Sequence, residues 1–256
     1  MLVSLEDRTV LVTGASTGIG RATAQALADR GANVVACARN QDALTAVIDD
    51  LPHTPGKHLA IGCDVSDRNQ VGEMVDQTVR TYETVYGLVN AAGVMPLGPF
   101  VECRMDDWDH VVDVNIKGVL HTIGHLLPHF LSQQTGHIVN ISSIAGHKVM
   151  PTAAVYCATK FAVHAISEGL RSELSKHAQS EPHTIRVTEI APGLVETELR
   201  HSITHEKTKQ QVSNWLAGMK NPLQSEDVAR SICQALEAPQ HVGINQVLLR
   251  PIEEVH

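Results

Sequence analysis

The chain has no Cys-x-x-Cys pair, no run of basic residues, no long apolar stretch, and no internal repeat, linker or low-complexity tract. Each absence removes a class of function. The five cysteines, Cys37, Cys63, Cys103, Cys157 and Cys233, are scattered and odd in number. That pattern excludes a disulfide framework or a cysteine zinc site and predicts reduced packing residues. A net charge of -8 without a basic cluster argues against nucleic acid or an anionic membrane as the main partner. Nothing approaches the ~20 apolar residues needed to span a bilayer, and the N-terminus lacks a basic-then-apolar signal pattern. A cytoplasmic protein is expected.

What remains is a globular composition, 43% hydrophobic and 19% charged over 256 residues, long enough to bury one large core. A single domain over residues 1–256 is therefore expected. Thr9-Val-Leu-Val-Thr13 reads as a short strand; it runs into Gly14-Ala-Ser-Thr-Gly18-Ile-Gly20 and then a helical pattern closed by Gly31. Asn33-Val-Val-Ala-Cys-Ala38 follows as a second strand. Strand, glycine turn, helix and strand form the unit that lets backbone approach a dinucleotide pyrophosphate at a helix N-terminus, although the spacing Gly-x-x-x-Gly-x-Gly departs from Gly-x-Gly-x-x-Gly. At the end of the second strand, where NAD binders offer a carboxylate, the chain has Arg39 and no acid. An Arg there accommodates a 2′-phosphate, so the expected cofactor is NADP(H).

Strand and helix patterns go on alternating: a helix over 42–50, a strand over 57–63 ending at Asp64-Val65, a helix over 67–82, and a strand over 85–89 followed by Asn90-Ala-Ala-Gly93. A long helix is expected over Met105 to Ser132, a sixth strand over 184–190, a helix capped by Ser225, and a last strand over 242–249. This alternation predicts an α/β fold, a single-domain Rossmann-type doubly wound parallel sheet of about seven strands, with ligands beyond the strands' C-terminal ends.

The stretch His137 to Lys160 carries the chemistry. A short apolar strand leads through a Gly/Pro-punctuated loop into an Ala-rich helix expected from about 153 to 177, on which Tyr156 and Lys160 stand one turn apart. A phenol with an ordinary pKa near ~10 is a poor acid or base at neutral pH, and a neighbouring ammonium is expected to lower it. Ser143, at the end of the strand, is placed to hydrogen-bond a carbonyl oxygen.

Taken together, Thr13-Gly-Ala-Ser-Thr-Gly-Ile-Gly20, Asp64-Val65, Asn90-Ala-Ala-Gly93, Asn115, Ser143, Tyr156-x-x-x-Lys160 and Pro192-Gly193 resemble, in order and spacing, the motif set of the short-chain dehydrogenases/reductases. The likeness covers nearly the whole chain. It implies a catalytic set of Asn115, Ser143, Tyr156 and Lys160; the family's spacing of thirteen residues before the Tyr selects Ser143 over Ser142. In that set Tyr156 protonates the substrate oxygen during reduction, Ser143 orients the carbonyl, Lys160 lowers the Tyr pKa and holds the nicotinamide ribose, and Asn115 supports a water relay to Lys160. Cofactor contacts fall on Gly14, Ser16, Thr17, Gly18, Ile19, Gly20, Arg39, Asp64, Val65, Asn90, Ala91, Ala92, Gly93, Tyr156, Lys160, Pro192, Gly193, Val195 and Thr197. Ala91 departs from the family's common second Asn.

The expected activity is NADP(H)-dependent hydride transfer to a ketone or aldehyde, or from a secondary alcohol, in a mostly apolar pocket walled by Val94, Met95, Pro96, Leu97, Ala145, Met150 and Leu194. Residues 198–224 suggest a lid. The tail resembles those of clavulanate-type dehydrogenases and of reductases of 3-hydroxy acids such as serine. His121, His125 and His129 recur every four residues, but Pro128 interrupts them, no acid or Cys accompanies them, and no metal is expected. The helix carrying Tyr156 is apolar around much of its circumference, which a homodimer through it and the Asn115 helix or a compact monomer would bury; a dimer is expected, and the family resemblance extends this toward a tetramer. The competing reading is a non-catalytic NADP-binding sensor or scaffold, whose mark would be a missing Tyr or Lys; both are present.

Overall fold

The computed structural model describes residues 2–52 and 56–254. Seven parallel strands, β1 (Thr9–Thr13), β2 (Asn33–Ala38), β3 (Leu59–Gly62), β4 (Gly87–Asn90), β5 (Thr135–Ile141), β6 (Thr184–Pro192) and β7 (Gln246–Leu249), form one sheet in the order β3-β2-β1-β4-β5-β6-β7. All six pairings are parallel. Strands buried on both faces must be apolar on both. Val10 and Val12 of β1 accordingly enter one core while Leu11 enters the other, the period-two alternation of a pleat.

Eight helices cover the two faces: α1 (Gly18–Ala28), α2 (Gln41–Asp50), α3 (Arg68–Tyr82), α4 (Met105–Val112), α5 (Gly118–Ser132), α6 (Ala154–His177), α7 (Glu206–Gly218) and α8 (Ser225–Glu237). One core joins Leu27 of α1, Leu44 of α2 and Ile232 of α8; the other joins Met74 of α3, Leu126 of α5 and Val163 of α6. The order of strands reverses between β1 and β4, so their C-terminal ends part into a crevice.

Four expectations change. Met105 to Ser132 is not one regular helix: a π-helical turn, Asp113–Lys117, separates α4 from α5 and contains Asn115. Such turns commonly mark functional sites, because the extra residue redirects a side chain. The cap of α8 is Gln224, whose N–H donates to Asp227 Oδ2 at 2.9 Å, and Ser225 is already helical. The last strand is four residues long because 242–245 leave the ladder. Cys103 is exposed, so the packing role holds for Cys37, Cys63, Cys157 and Cys233 only; all five thiols are free. No helix among the described residues is long and apolar enough to cross a membrane.

Candidate active site

At the crevice, glycine is demanded by close approach of backbone. Gly14 has φ +66°, and a Cβ there would lie 2.8 Å from Ala92 Cα; a Cβ on Gly20 would overlap the Gly14 carbonyl oxygen. The Thr13 hydroxyl accepts from the N–H groups of Ala91 and Ala92, each at 3.2 Å, and so ties the end of β1 to the turn after β4. These contacts leave the first turn of α1 facing a cavity of about 570 Å³.

That cavity brings together almost every residue expected to contact cofactor: Gly14, Ser16, Thr17, Gly18, Ile19, Gly20, Arg39, Asp64, Val65, Ala91, Ala92, Gly93, Tyr156, Lys160, Pro192, Gly193, Val195 and Thr197. Arg39 is exposed at its rim and makes no hydrogen bond or ion pair with any described residue. Asn40 beside it caps α2 by accepting from Ala43 N–H at 3.0 Å. Asp64 is occupied locally, accepting from the N–H and hydroxyl of Ser66.

Asn90 does not reach the cavity. Its amide donates to Asn140 at 2.9 Å and its oxygen accepts from Thr122, while Asn140 donates to Ser167, so a buried polar chain pins β4 to β5, α5 and α6. A buried amide left unpaired would be costly, which is why this one is spent inside the fold. Asn115 is also off the cavity wall. Its oxygen accepts from Val94 N–H at 2.9 Å, and its amide donates to Val94 O at 3.0 Å and to Thr159 at 3.1 Å. The π-helical turn thus aims Asn115 at the backbone after β4 and at α6, where it acts as a brace.

The reacting corner lies at the end of β5. Ser143 caps the short 3-10 turn Ile144–Gly146 by accepting from Ala145 N–H at 3.1 Å. Gly146 in that turn presses on α6, since a Cβ there would lie 2.9 Å from Lys160 O. Ser142, in contrast, spends its hydroxyl on Lys160 O. Tyr156 and Lys160 are both buried on the same face of α6, with Lys160 Nζ donating to Ile141 O at 2.9 Å and standing 5.8 Å from the Tyr156 ring centroid.

The direction of the tyrosine shift differs from expectation. Burial drives the Tyr156 pKa up to about 12, against a hydrogen bond from Ser143 that pulls it down. Burial likewise lowers Lys160 to about 8, opposed by the charge of Glu189. Removing both groups from water penalises both charged forms, and this outweighs what a cation held on a carbonyl oxygen can return to a phenolate. Burial of Tyr156 therefore favours its neutral hydroxyl form in this corner.

On the far wall, Val94, Met95, Leu97, Met150 and Leu194 line the cavity as expected, whereas Ala145 is buried behind it and Pro96 faces a separate small cleft beside Phe100 and Trp108. A 3-10 turn (Glu198–Ser202) and α7 add Leu199, Arg200, Ser202, Val212, Trp215 and Leu216. This segment is tied down. Ser202 accepts from Met95 N–H at 2.7 Å, and Thr204 donates to Asp107 at 2.6 Å.

Sequence reasoning missed Glu254. It is buried in the cavity wall, its carboxylate accepts from Leu194 N–H at 3.2 Å, and any Cβ on Gly193 would collide with it. No local signal announces a contact made across sixty residues; only the glycine after Pro192 hints at a close neighbour. The His121, His125 and His129 stripe forms no metal-binding group among the described residues: His121 bonds Val65 O, and His125 packs over Gly72.

Compared with known proteins, residues 8–208 match the family model of the short chain dehydrogenases. An uncharacterized oxidoreductase of Staphylococcus saprophyticus is 36% identical over 97% of both chains. Among solved structures, a serine dehydrogenase complexed with NADP+ is 29% identical with a TM-score of 0.87, covering 97% of this chain and 96% of that one. A short-chain dehydrogenase/reductase from Burkholderia phymatum in complex with NAD is 26% identical with a TM-score of 0.87, over 96% and 89%.

Proposed function

Because the chain belongs to the short-chain dehydrogenase family and is an oxidoreductase of it, we propose that it is an NADP(H)-dependent carbonyl reductase, reversible as an alcohol dehydrogenase. Its substrates are ketones, aldehydes or secondary alcohols. The observation that carries this reading is the convergence of Ser143, Tyr156 and Lys160 on the cavity that the glycine turn opens at its other end. A nicotinamide cofactor fits the chain: Gly14 and Gly20, where a Cβ would strike the backbone of Ala92 and of Gly14, allow the tight turn that lines the cavity, and Arg39 stands uncommitted among the described residues where a 2′-phosphate belongs. When bound, the cofactor supplies or accepts the hydride.

The chain's own residues handle the proton and the geometry. Tyr156 Oη, neutral in its buried corner, gives its proton to the substrate oxygen in reduction; in oxidation the deprotonated phenolate takes the proton of the alcohol. Ser143 Oγ fixes that oxygen against the phenol. Lys160 keeps a cation behind the ring, and Asn115 holds the Gly93-Val94 backbone that forms the floor.

A second reading narrows the substrate to a 3-hydroxy acid. Arg200 lines the cavity, and its guanidinium has no hydrogen-bond or ion-pair partner among the described residues, which suits a substrate carboxylate; the serine dehydrogenase likeness agrees with it. NADPH absorbance followed against a panel of ketones and aldehydes, with NADP+ reduction by 3-hydroxy acids in parallel, tests both. Turnover of the acids, lost in Arg200→Ala, selects the second reading. Binding of NADPH with no turnover of any member would sink both and leave the sensor. A homodimer or tetramer is supported by exposed Leu120 of α5 and Phe161 of α6; light scattering of Leu120→Asp should then show monomers.

A further inference from the structure

Three side chains without a part in the hydride chemistry meet beside the reacting corner. His147 follows the 3-10 turn capped by Ser143, His164 lies one turn beyond Lys160 on α6, and Glu189 sits in β6 with a side chain 1% exposed. The His147, His164 and Glu189 ligand atoms all lie within 4.8 Å of one another. Glu189 Oε2 accepts from His164 Nδ1 at 2.7 Å and from the Gln246 amide at 3.2 Å. Its other oxygen, Oε1, is buried without a hydrogen-bond partner; His147 Nε2 stands 3.5 Å from it and accepts from the Gln246 amide at 3.0 Å, a contact the ion would replace while Gln246 keeps the carboxylate. A buried carboxylate oxygen with no donor is expensive, and this one faces an imidazole nitrogen.

We propose that His147, His164 and Glu189 bind a divalent transition-metal ion, with zinc, cobalt and nickel the suitable class and water completing a tetrahedron. Ligands at ~2.0–2.2 Å in a tetrahedral site stand ~3.4 Å apart, close to the Glu189 to His147 separation. The shorter Glu189 to His164 contact opens once the proton between them is replaced by the ion. Two imidazoles and one carboxylate are a donor set such ions prefer. The surroundings match what ligands need: Gln246 orients the Glu189 carboxylate, and Glu168 lies 3.5 Å from His164 Nε2, ready to hold the ring's other N–H. Bound there, the ion links the turn after Ser143 to α6 and β6 and braces the reacting corner from behind, taking no part in hydride transfer.

The test uses the full chain, stripped with chelator, and Co2+ as a spectroscopic probe with Zn2+ titration calorimetry beside it. One ion per chain should bind with a tetrahedral cobalt spectrum and raise the thermal midpoint. His147→Ala and His164→Ala should each weaken binding at least about tenfold and remove the stabilisation. His177→Ala, in the separate stacked pair with His183, should change neither. Should His164→Ala fail to fold, the exposed His147→Ala decides alone. Unaltered affinity in His147→Ala, or no cobalt bound by the parent, overturns the site. Because the readouts are binding and stability, a failed substrate panel does not bear on them.

Discussion

At the glycine end of the cleft the chain offers backbone and the absence of side chains, whereas at the tyrosine end it offers side chains, two of them, Tyr156 and Lys160, taken out of water. Gly14 and Gly20 serve by lacking a Cβ, and Arg39 stands in solvent at the rim. Half-buried Ser143 is suited by position, Tyr156 and Lys160 by position and burial, with Tyr156 raised to about 12 and Lys160 lowered to about 8. Binding a large anion needs room and N–H groups. Moving a proton at a set place needs a dry pocket in which protonation states are fixed.

The sharpest break in that comparison is Tyr156→Phe. Removing the proton donor should cut kcat by about 10²–10⁴-fold, with NADPH affinity and folding retained; stopped-flow turnover alongside a fluorescence titration separates the two ends. Gly20→Ala attacks the other end. Its new Cβ meets the Gly14 carbonyl, so stability should fall by about 1–3 kcal/mol, with NADPH and NADH binding both weakened; chemical denaturation measures the first, and an unchanged midpoint would contradict the tight turn.

Arg39→Asp should spare folding yet lower the preference for NADPH over NADH about ten- to hundredfold, the worth of a charge-assisted hydrogen bond of about 1.5–3 kcal/mol. Equal ratios of kcat/KM for the two cofactors before and after would refute the assignment.

The smallest effect is in the pH dependence of stability. Lys160 titrates at about 8 in the folded chain against an ordinary 10.5. Between those values the unfolded chain holds the extra proton, and the stability contributed by this group rises with pH. Tyr156, raised to about 12 from 10.0, acts in the opposite sense between those values, where stability falls as pH climbs. Denaturation curves at pH about 8 and about 10 should show a gain in the parent that Lys160→Met lacks.

Much of this was legible from local pattern. Short apolar strands, the glycine turn and the four-residue spacing of Tyr156 and Lys160 each depend on a few consecutive residues, and each appears within the expected segment, the third, fourth and last strands with shifted or shortened ends. The partners of the Asn90 and Asn115 side chains were not legible: the first bonds Asn140 and the second Val94 and Thr159. An amide's partners come from distant elements, and nothing nearby in the chain names them. Glu254 and the His147, His164 and Glu189 group escaped for the same reason, since each joins segments far apart in sequence.

The sequence alone determined the parallel α/β sheet, the position of the crevice and the one-turn spacing of Tyr156 and Lys160, because periodicity and glycine placement act within one turn or one strand. Tertiary structure alone decided the directions in which burial shifts Tyr156 and Lys160, the bracing contacts of Asn115 and the closure of the wall by Glu254. Those depend on how far water is excluded and on which distant groups arrive, quantities that exist only once the chain has packed.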